Sequence, residues 1–256
     1  MSICTYGFVA VRREPAETSE MTTQILFGET YEVIEEQDTW LKVRLDYDGY
    51  EGWIDAKLHR NIFGPEVDSW RRGKKWIVPG PFAHIIREGE RSPMIIPGGS
   101  EIYFNSDGLS NFTIGDRSYT LTGNHNPNRP AGTIEEIAMT FYSAPYLWGG
   151  RSFYGIDCSG FAQIVFKIAG KRIPRDASQQ VNEGTVVNFV EEAHAGDLAF
   201  FDKGDGRITH VGICFGRGEI IHASGSVRID RLDHQGIYST RSNKYTHSLR
   251  TIKRIE

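Results

Sequence analysis

One cysteine of this chain stands between an aspartate and a serine where a helix begins. In GIDCSGFAQIVFKIAG, residues 155–170, the apolar Ile164, Val165 and Ile168 follow Phe161 at spacings of three, four and seven, all behind Cys158. That is the stripe of a helix with one buried face, and Gly170 is a natural stop for it. Asp157 or Ser159 supplies the cap, so Cys158 falls at the helix N-terminus. Unpaired backbone N–H groups and the positive end of the helix dipole favour an anion there, which predicts a lowered thiol pKa. Position alone does not make a nucleophile, because a lone cysteine is more often a small buried hydrophobe. A catalytic thiol also needs a base, and the base needs an orienting partner.

Two histidines meet that need. His210 in ITHVGICF and His222 in IIHASGSV lie on consecutive predicted strands, twelve residues apart around a turn near FGRG. With the hairpin centred near Gly216 they face each other, whereas a slip of one residue would send one ring to the opposite face. The other histidines, His247 among them, lie in less constrained surroundings. Cys158, His210 and His222 are chemically able to bind zinc. Their separations of 52 and 12 residues match no close-spaced zinc pattern, however, and acyl transfer through a thiolate is the better reading.

These groups need a scaffold, and the chain supplies one in two halves. The first sixty residues read as short strands: ILFGETYEVIEEQDTWLKVRL has two alternating runs parted by EEQD, and DYDGYEGWID adds a turn and a strand from Trp53. Such strands predict a small barrel over 1–60. HRNIFGPEVDSWRRGKK reads as a linker with a helical turn, and strand character returns from Trp76 to about Leu121. Residues 61–123 are therefore assigned as linker and second small barrel. NHNPNRPAG is the clearest linker. After it, Thr133 and Glu136 form a capping box for a helix with Ile134, Ile137, Ala138 and Phe141 on one face. Three strand-like runs, DLAFFD, ITHVGICFG and GEIIHASGSVRID, come last. Helices before an antiparallel sheet make residues 124–256 an α+β domain.

Composition narrows the partners. The net charge is −4 with no basic run, which argues against nucleic acid. Cys4, Cys158 and Cys214 include no CxxC pair and suit neither a disulfide framework nor a zinc ribbon, so reduced thiols are expected. No apolar run approaches membrane-spanning length, and MSICTYGFVAVRREP lacks the basic and apolar regions of a secretion signal. The expectation is a cytoplasmic protein with no membrane partner. Oligomeric state is not readable.

YLWGG, DCSGF, AGDLAFF, THVGI and IHASG, in that order over roughly residues 131–256, resemble the blocks of the NlpC-type cell-wall cysteine peptidases. The resemblance implies a papain-like fold, no cofactor or metal, and hydrolysis of peptidoglycan stem peptides. It assigns Cys158 as nucleophile, His210 as general base and His222 as the orienting third residue. VRREP, TQILFGE, WLKVRL and YEGW resemble the bacterial SH3-like domains that accompany one branch, the γ-D-glutamyl–L-diamino acid endopeptidases. The resemblance implies that the first SH3-like domain walls off the cleft of such an enzyme and that Tyr50 contacts substrate. An acidic residue, Glu14 ahead of Glu17 and Glu20, meets the ammonium of a free N-terminal L-alanine. Asp157 and Ser159 help to hold that same amine end, while Trp53 reads as barrel core.

The whole reading is an α+β, papain-like NlpC-type catalytic domain behind one or two SH3-like barrels. Its partner is a peptidoglycan-derived tripeptide or tetrapeptide, cleaved during cytosolic recycling. Two other readings stand beside it: a non-catalytic wall-binding protein, and a thiol amidase or acyltransferase on another small acyl substrate.

Overall fold

The structure, a computed structural model, describes residues 1–62, 64–105 and 109–256. It divides into two compact units, Met1–Ala131 and Gly132–Glu256. Among the described residues no helix is long and apolar enough to cross a membrane.

In the first unit, period-two alternation does what it predicts. A six-stranded antiparallel sheet runs in the order Ser2–Ile3, Thr30–Gln37, Trp40–Leu45, Glu51–Asp55, Phe8–Arg12, Met21–Leu26. Its inward residues Val9, Val11, Ile25, Val43, Leu45 and Ile54 form one core. The turn expected at EEQD falls one step later. Pairing continues to Gln37 and Trp40, and Asp38 takes the left-handed conformation at φ 52°. The predicted helical turn is a full helix, Gly64–Arg71, which buries Val67 and Trp70. Beyond it lie a two-stranded sheet, Lys74–Ile77 with Glu101–Phe104, and a four-stranded one. The latter orders Asn111–Ile114, Arg117–Thr122, Phe82–Arg87 and Met94–Pro97. Phe27, which directly follows Met21–Leu26, packs edge-on against Phe112 and Tyr119 and joins Ile3 in the core of these later strands, apart from the core of the six-stranded sheet.

In the second unit the expected order holds, helices first and antiparallel sheet second. Thr133 and Glu136 cap the helix Ile134–Met139 reciprocally, Thr133 Oγ1 accepting from Glu136 N and Glu136 Oε2 from Thr133 N. The second helix, Cys158–Ile168, is buried along its length and lies against the strand Ile208–Gly216. The sheet orders Thr185–Val187, Lys244–Arg254, Leu198–Asp202, Ile208–Gly216, Glu219–Ser224, Ser226–Asp233 and Gly236–Ser239. The last pairs back onto Lys244–Arg254, closing all but Thr185–Val187 into a ring. The run GEIIHASGSVRID, read from sequence as one strand, is two. Gly225, at φ 74°, turns the chain so that Ile220 faces Asp230 and His222 faces Arg228.

Candidate active site

Asp157 rather than Ser159 caps the nucleophile helix, its Oδ1 accepting from Gly160 N at 2.6 Å. Its Oδ2 accepts from Gly149 N at 2.9 Å, which ties the WGG turn to the helix start. Arg175, fully buried, grips the same carboxylate with both terminal nitrogens at 3.0 and 2.6 Å and reaches Ser159 Oγ at 2.8 Å. The fork-on-carboxylate geometry is the strong form of this pair. It locks the residues on either side of Cys158. Gly160 is required here, since a Cβ would stand 2.3 Å from the carbonyl oxygen of Gly150.

Cys158 is 8% exposed and presents its sulfur to the strand that carries the base. Main-chain N–H groups of Val211 and Ser159 hydrogen-bond the sulfur, and Val211 directly follows His210. His210, His222 and Asp230 are buried on the inner face of the ring, beside Phe201 and Cys214. His210 Nε2 lies 2.9 Å from His222 Nδ1, and His222 Nε2 lies 3.1 Å from Asp230 Oδ2. Arg228 Nε donates to the same Oδ2 at 2.8 Å. The two histidines meet diagonally. Gly212 stands opposite His222, where a Cβ would come within 2.9 Å of the His222 Cβ, and this gap lets the His210 ring lean across. His247 stacks on His210 at 4.1 Å between ring centroids and an interplanar angle of 25°.

Burial dominates the protonation of these groups. It pushes the Cys158 thiol up to about 12, with the Asp157 charge adding to the rise. The Val211 and Ser159 amides and Arg175 oppose it without prevailing. The lowered thiol expected from the helix terminus is therefore overturned, because desolvation of a buried thiolate outweighs a partial dipole charge. Burial also holds the His210 imidazole well below its ordinary value, aided by the proximity of His222, His247 and Arg228. His222 is lowered by burial against the pull of Asp230, and His247 by burial to about 4. For Asp230, burial acts upward, but the hydrogen bonds from His222 and Arg228 keep it below the usual range. Burial thus favours the neutral form of both the Cys158 thiol and the His210 imidazole.

The structure thus brings Cys158, Asp157, Ser159, His210 and His222 together. Tyr50 and Glu14 belong to the first unit. Tyr50 is half-buried with its N–H on Asp48 Oδ1, and Glu14 is exposed with its N–H on Ser19 Oγ. Glu17 faces Arg12 and Glu20 faces Arg13, whereas the Glu14 carboxylate has no ion-pair partner among the described residues. Trp53 is buried, in keeping with its reading as barrel core. Four residues escaped sequence reasoning: Arg175, Asp230, His247 and Tyr146. Burial, with the nearby Cys158 and Asp157 adding to it, pushes the Tyr146 phenol up to about 12, so it lies within electrostatic reach of the thiol. Its place in YLWGG was the one available signal. Among the described residues no cluster of His, Cys, Asp or Glu is arranged to hold a metal ion.

A thiol at a helix start, an imidazole on an adjoining strand and a second polar residue behind that imidazole define a cysteine hydrolase. The comparisons agree. The NlpC/P60 family pattern matches residues 143–249, and that of the bacterial dipeptidyl-peptidase SH3 domain matches residues 11–57. The gamma-D-glutamyl-L-lysine dipeptidyl-peptidase of Bacillus subtilis is 33% identical over 224 residues, 78% of this chain and 71% of the relative. Dipeptidyl-peptidase 6 of Lysinibacillus sphaericus is 30% identical over 249 residues, 87% of this chain and 88% of the relative. The chain belongs to the NlpC/P60 family. Its fold matches the crystal structure of an NlpC/P60 family protein from Bacillus cereus with a TM-score of 0.81. That match has 20% identity and covers 99% of this chain and 98% of the other.

Proposed function

We propose that this protein is a cysteine peptidase that hydrolyses the bond between γ-D-glutamate and the diamino acid of peptidoglycan stem peptides. The observation that carries it is the placing of the Cys158 sulfur on the Val211 amide, next to His210, whose ring meets His222 at 2.9 Å, in a chain whose relatives carry dipeptidyl-peptidase names. Cys158 Sγ attacks the γ-carbonyl carbon while its proton passes to His210. His210 then gives the proton to the departing amine as the C–N bond breaks, and water resolves the thioester by the reverse transfer. The Ser159 amide at the helix start and the Tyr146 hydroxyl, both close to the thiol, are assigned as donors to the developing oxyanion.

The substrate end follows from charge. A free L-alanine ammonium in a closed cleft needs carboxylates, because an unpaired buried charge is costly. Glu14 is the acidic group assigned to it, with Tyr50 beside the peptide. Asp157 and Ser159 are assigned to the same end, which requires the ammonium to share a carboxylate already held by Arg175. Residues 1–60 are assigned as the SH3-like wall, 61–123 as linker and second small barrel with no site of its own, and 124–256 as the catalytic domain. A site that demands a free amine rejects stem peptides still joined to sugar, a preference that suits an enzyme acting after strand breakdown, in cytosolic muropeptide recycling. Three unpaired cysteines suit such a reducing compartment. The test is turnover of L-Ala-γ-D-Glu-L-Lys and L-Ala-γ-D-Glu-meso-diaminopimelate beside their N-acetylated forms. Cleavage of the free-amine peptides alone supports the reading, and equal cleavage of both removes the amine requirement.

A further inference from the structure

The His222 ring is held from both sides, and the chemistry of those two contacts decides where protons sit in the site. Asp230 is buried, and its Oδ2 takes Arg228 Nε–H at 2.8 Å, so it is a carboxylate with no proton to offer. Arg228 is itself anchored, donating Nη1–H to the Ser224 carbonyl at 2.7 Å. The contact of 3.1 Å between Asp230 Oδ2 and His222 Nε2 is therefore a hydrogen bond only if Nε2 carries the hydrogen. The opposite tautomer would set two lone pairs against each other without water to separate them. A neutral imidazole has one N–H, so His222 Nδ1 is then an acceptor. The 2.9 Å contact to His210 must be donated by His210 Nε2–H. That leaves the lone pair of His210 on Nδ1, free to take the thiol proton.

From this chain of contacts we propose that Asp230 is a positioning residue that sets the tautomers of both histidines in series and so makes His210 Nδ1 the base atom. It rests on the cysteine-peptidase reading above and deepens it, moving the origin of base orientation one residue beyond His222. Oδ2 takes both Arg228 Nε–H and His222 Nε2–H, so in Asp230→Asn the amide oxygen occupies that place and keeps the tautomers. Asp230→Ala removes the acceptor, and with it the constraint that holds the hydrogen on His222 Nε2. The rings are then free to enter the reverse series, in which His222 carries Nδ1–H, His210 accepts on Nε2, and its own proton moves to Nδ1, where the base lone pair is needed.

The experiment is 15N–1H NMR of the full chain carrying 15N-labelled histidine, with steady-state kinetics on L-Ala-γ-D-Glu-diamino acid. Wild type and Asp230→Asn show Nε2–H on both His210 and His222, and Asp230→Ala gains Nδ1–H on both. In parallel kcat falls in Asp230→Ala by up to about 10,000-fold, the cost of the wrong tautomer at a catalytic imidazole. KM changes little, and Asp230→Asn keeps more activity than Asp230→Ala. A carboxylate that merely anchors Arg228 would leave the tautomers of Asp230→Ala unchanged. Nδ1–H on His210 in wild type overturns the proposal with no variant needed, and so does an Asp230→Ala variant whose tautomers are unchanged. Tautomers are read without substrate. If wild type fails to cleave the tripeptide, the peptidase reading falls while the tautomer result still stands or falls on its own.

Discussion

The resting state of the nucleophile can be challenged by alkylation. With burial raising the Cys158 thiol from 9.0 to about 12, the thiolate fraction at neutral pH drops by about three powers of ten, tenfold for each unit. A more basic thiolate is a better nucleophile, and a Brønsted slope of about 0.4–0.5 recovers about 15- to 30-fold. Iodoacetamide should therefore modify Cys158 at pH 7 about 30- to 60-fold more slowly than an exposed cysteine of ordinary pKa, before any loss from its limited access. The rate should climb steadily with pH, without a plateau below pH 9. Peptide mapping by mass spectrometry separates Cys158 from Cys4 and Cys214, both also buried and raised to about 12. A plateau reached by pH 7, with a rate equal to or above that of the free thiol, would refute the reasoning. It would mean that a thiolate–imidazolium pair stands ready and that burial does not control this site.

The acid limb of kcat/KM should lie below pH 6.5. A lowered His210 stays neutral, and able to accept the thiol proton, until the pH falls through its own depressed pKa; a limb above 6.5 contradicts this. Arg175→Met strands the buried Asp157 carboxylate and should cost about 3–5 kcal/mol of stability, read from urea unfolding of variant and wild type. A loss below about 1 kcal/mol would show that the pair is not buried as described. His247→Phe preserves the stack on His210 and should retain wild-type kcat within about twofold, whereas His247→Ala should lose about 2- to 13-fold, the value of an aromatic pair. Tyr146→Phe should lower kcat about 100-fold if the phenol donates to the oxyanion, and an unchanged kcat would discard that role.

Local patterns carried much of this site into view. The spacing behind Cys158 predicted a helix whose observed extent is Cys158–Ile168, and the alternation around His210 and His222 predicted the strands that bring them within 2.9 Å. What escaped depends on chain reversals and long-range pairing. GEIIHASGSVRID has strand character throughout, so the reversal at Gly225 was hidden, and with it the return of Asp230 to His222. His247 reaches His210 because Lys244–Arg254 pairs with Leu198–Asp202 on one side and Gly236–Ser239 on the other, and KYTHSLR says nothing of that closure. Arg175 lies in an irregular stretch with no periodicity, and its role is visible only once burial pairs it with Asp157. The thiol pKa was misjudged for a related reason. A helix terminus can be read from sequence, but the depth at which the fold buries it cannot.

The central claim is that Cys158 splits the γ-D-Glu–diamino acid bond, and mass-spectrometric product analysis tests it most directly. L-Ala-γ-D-Glu-meso-diaminopimelate is incubated with wild type and with Cys158→Ala. The account predicts free diaminopimelate and the dipeptide L-Ala-D-Glu from wild type alone, the variant remaining folded and inert. Release by both proteins would end the thiol mechanism. Release by neither would return the chain to the wall-binding reading, in which the first unit carries the function.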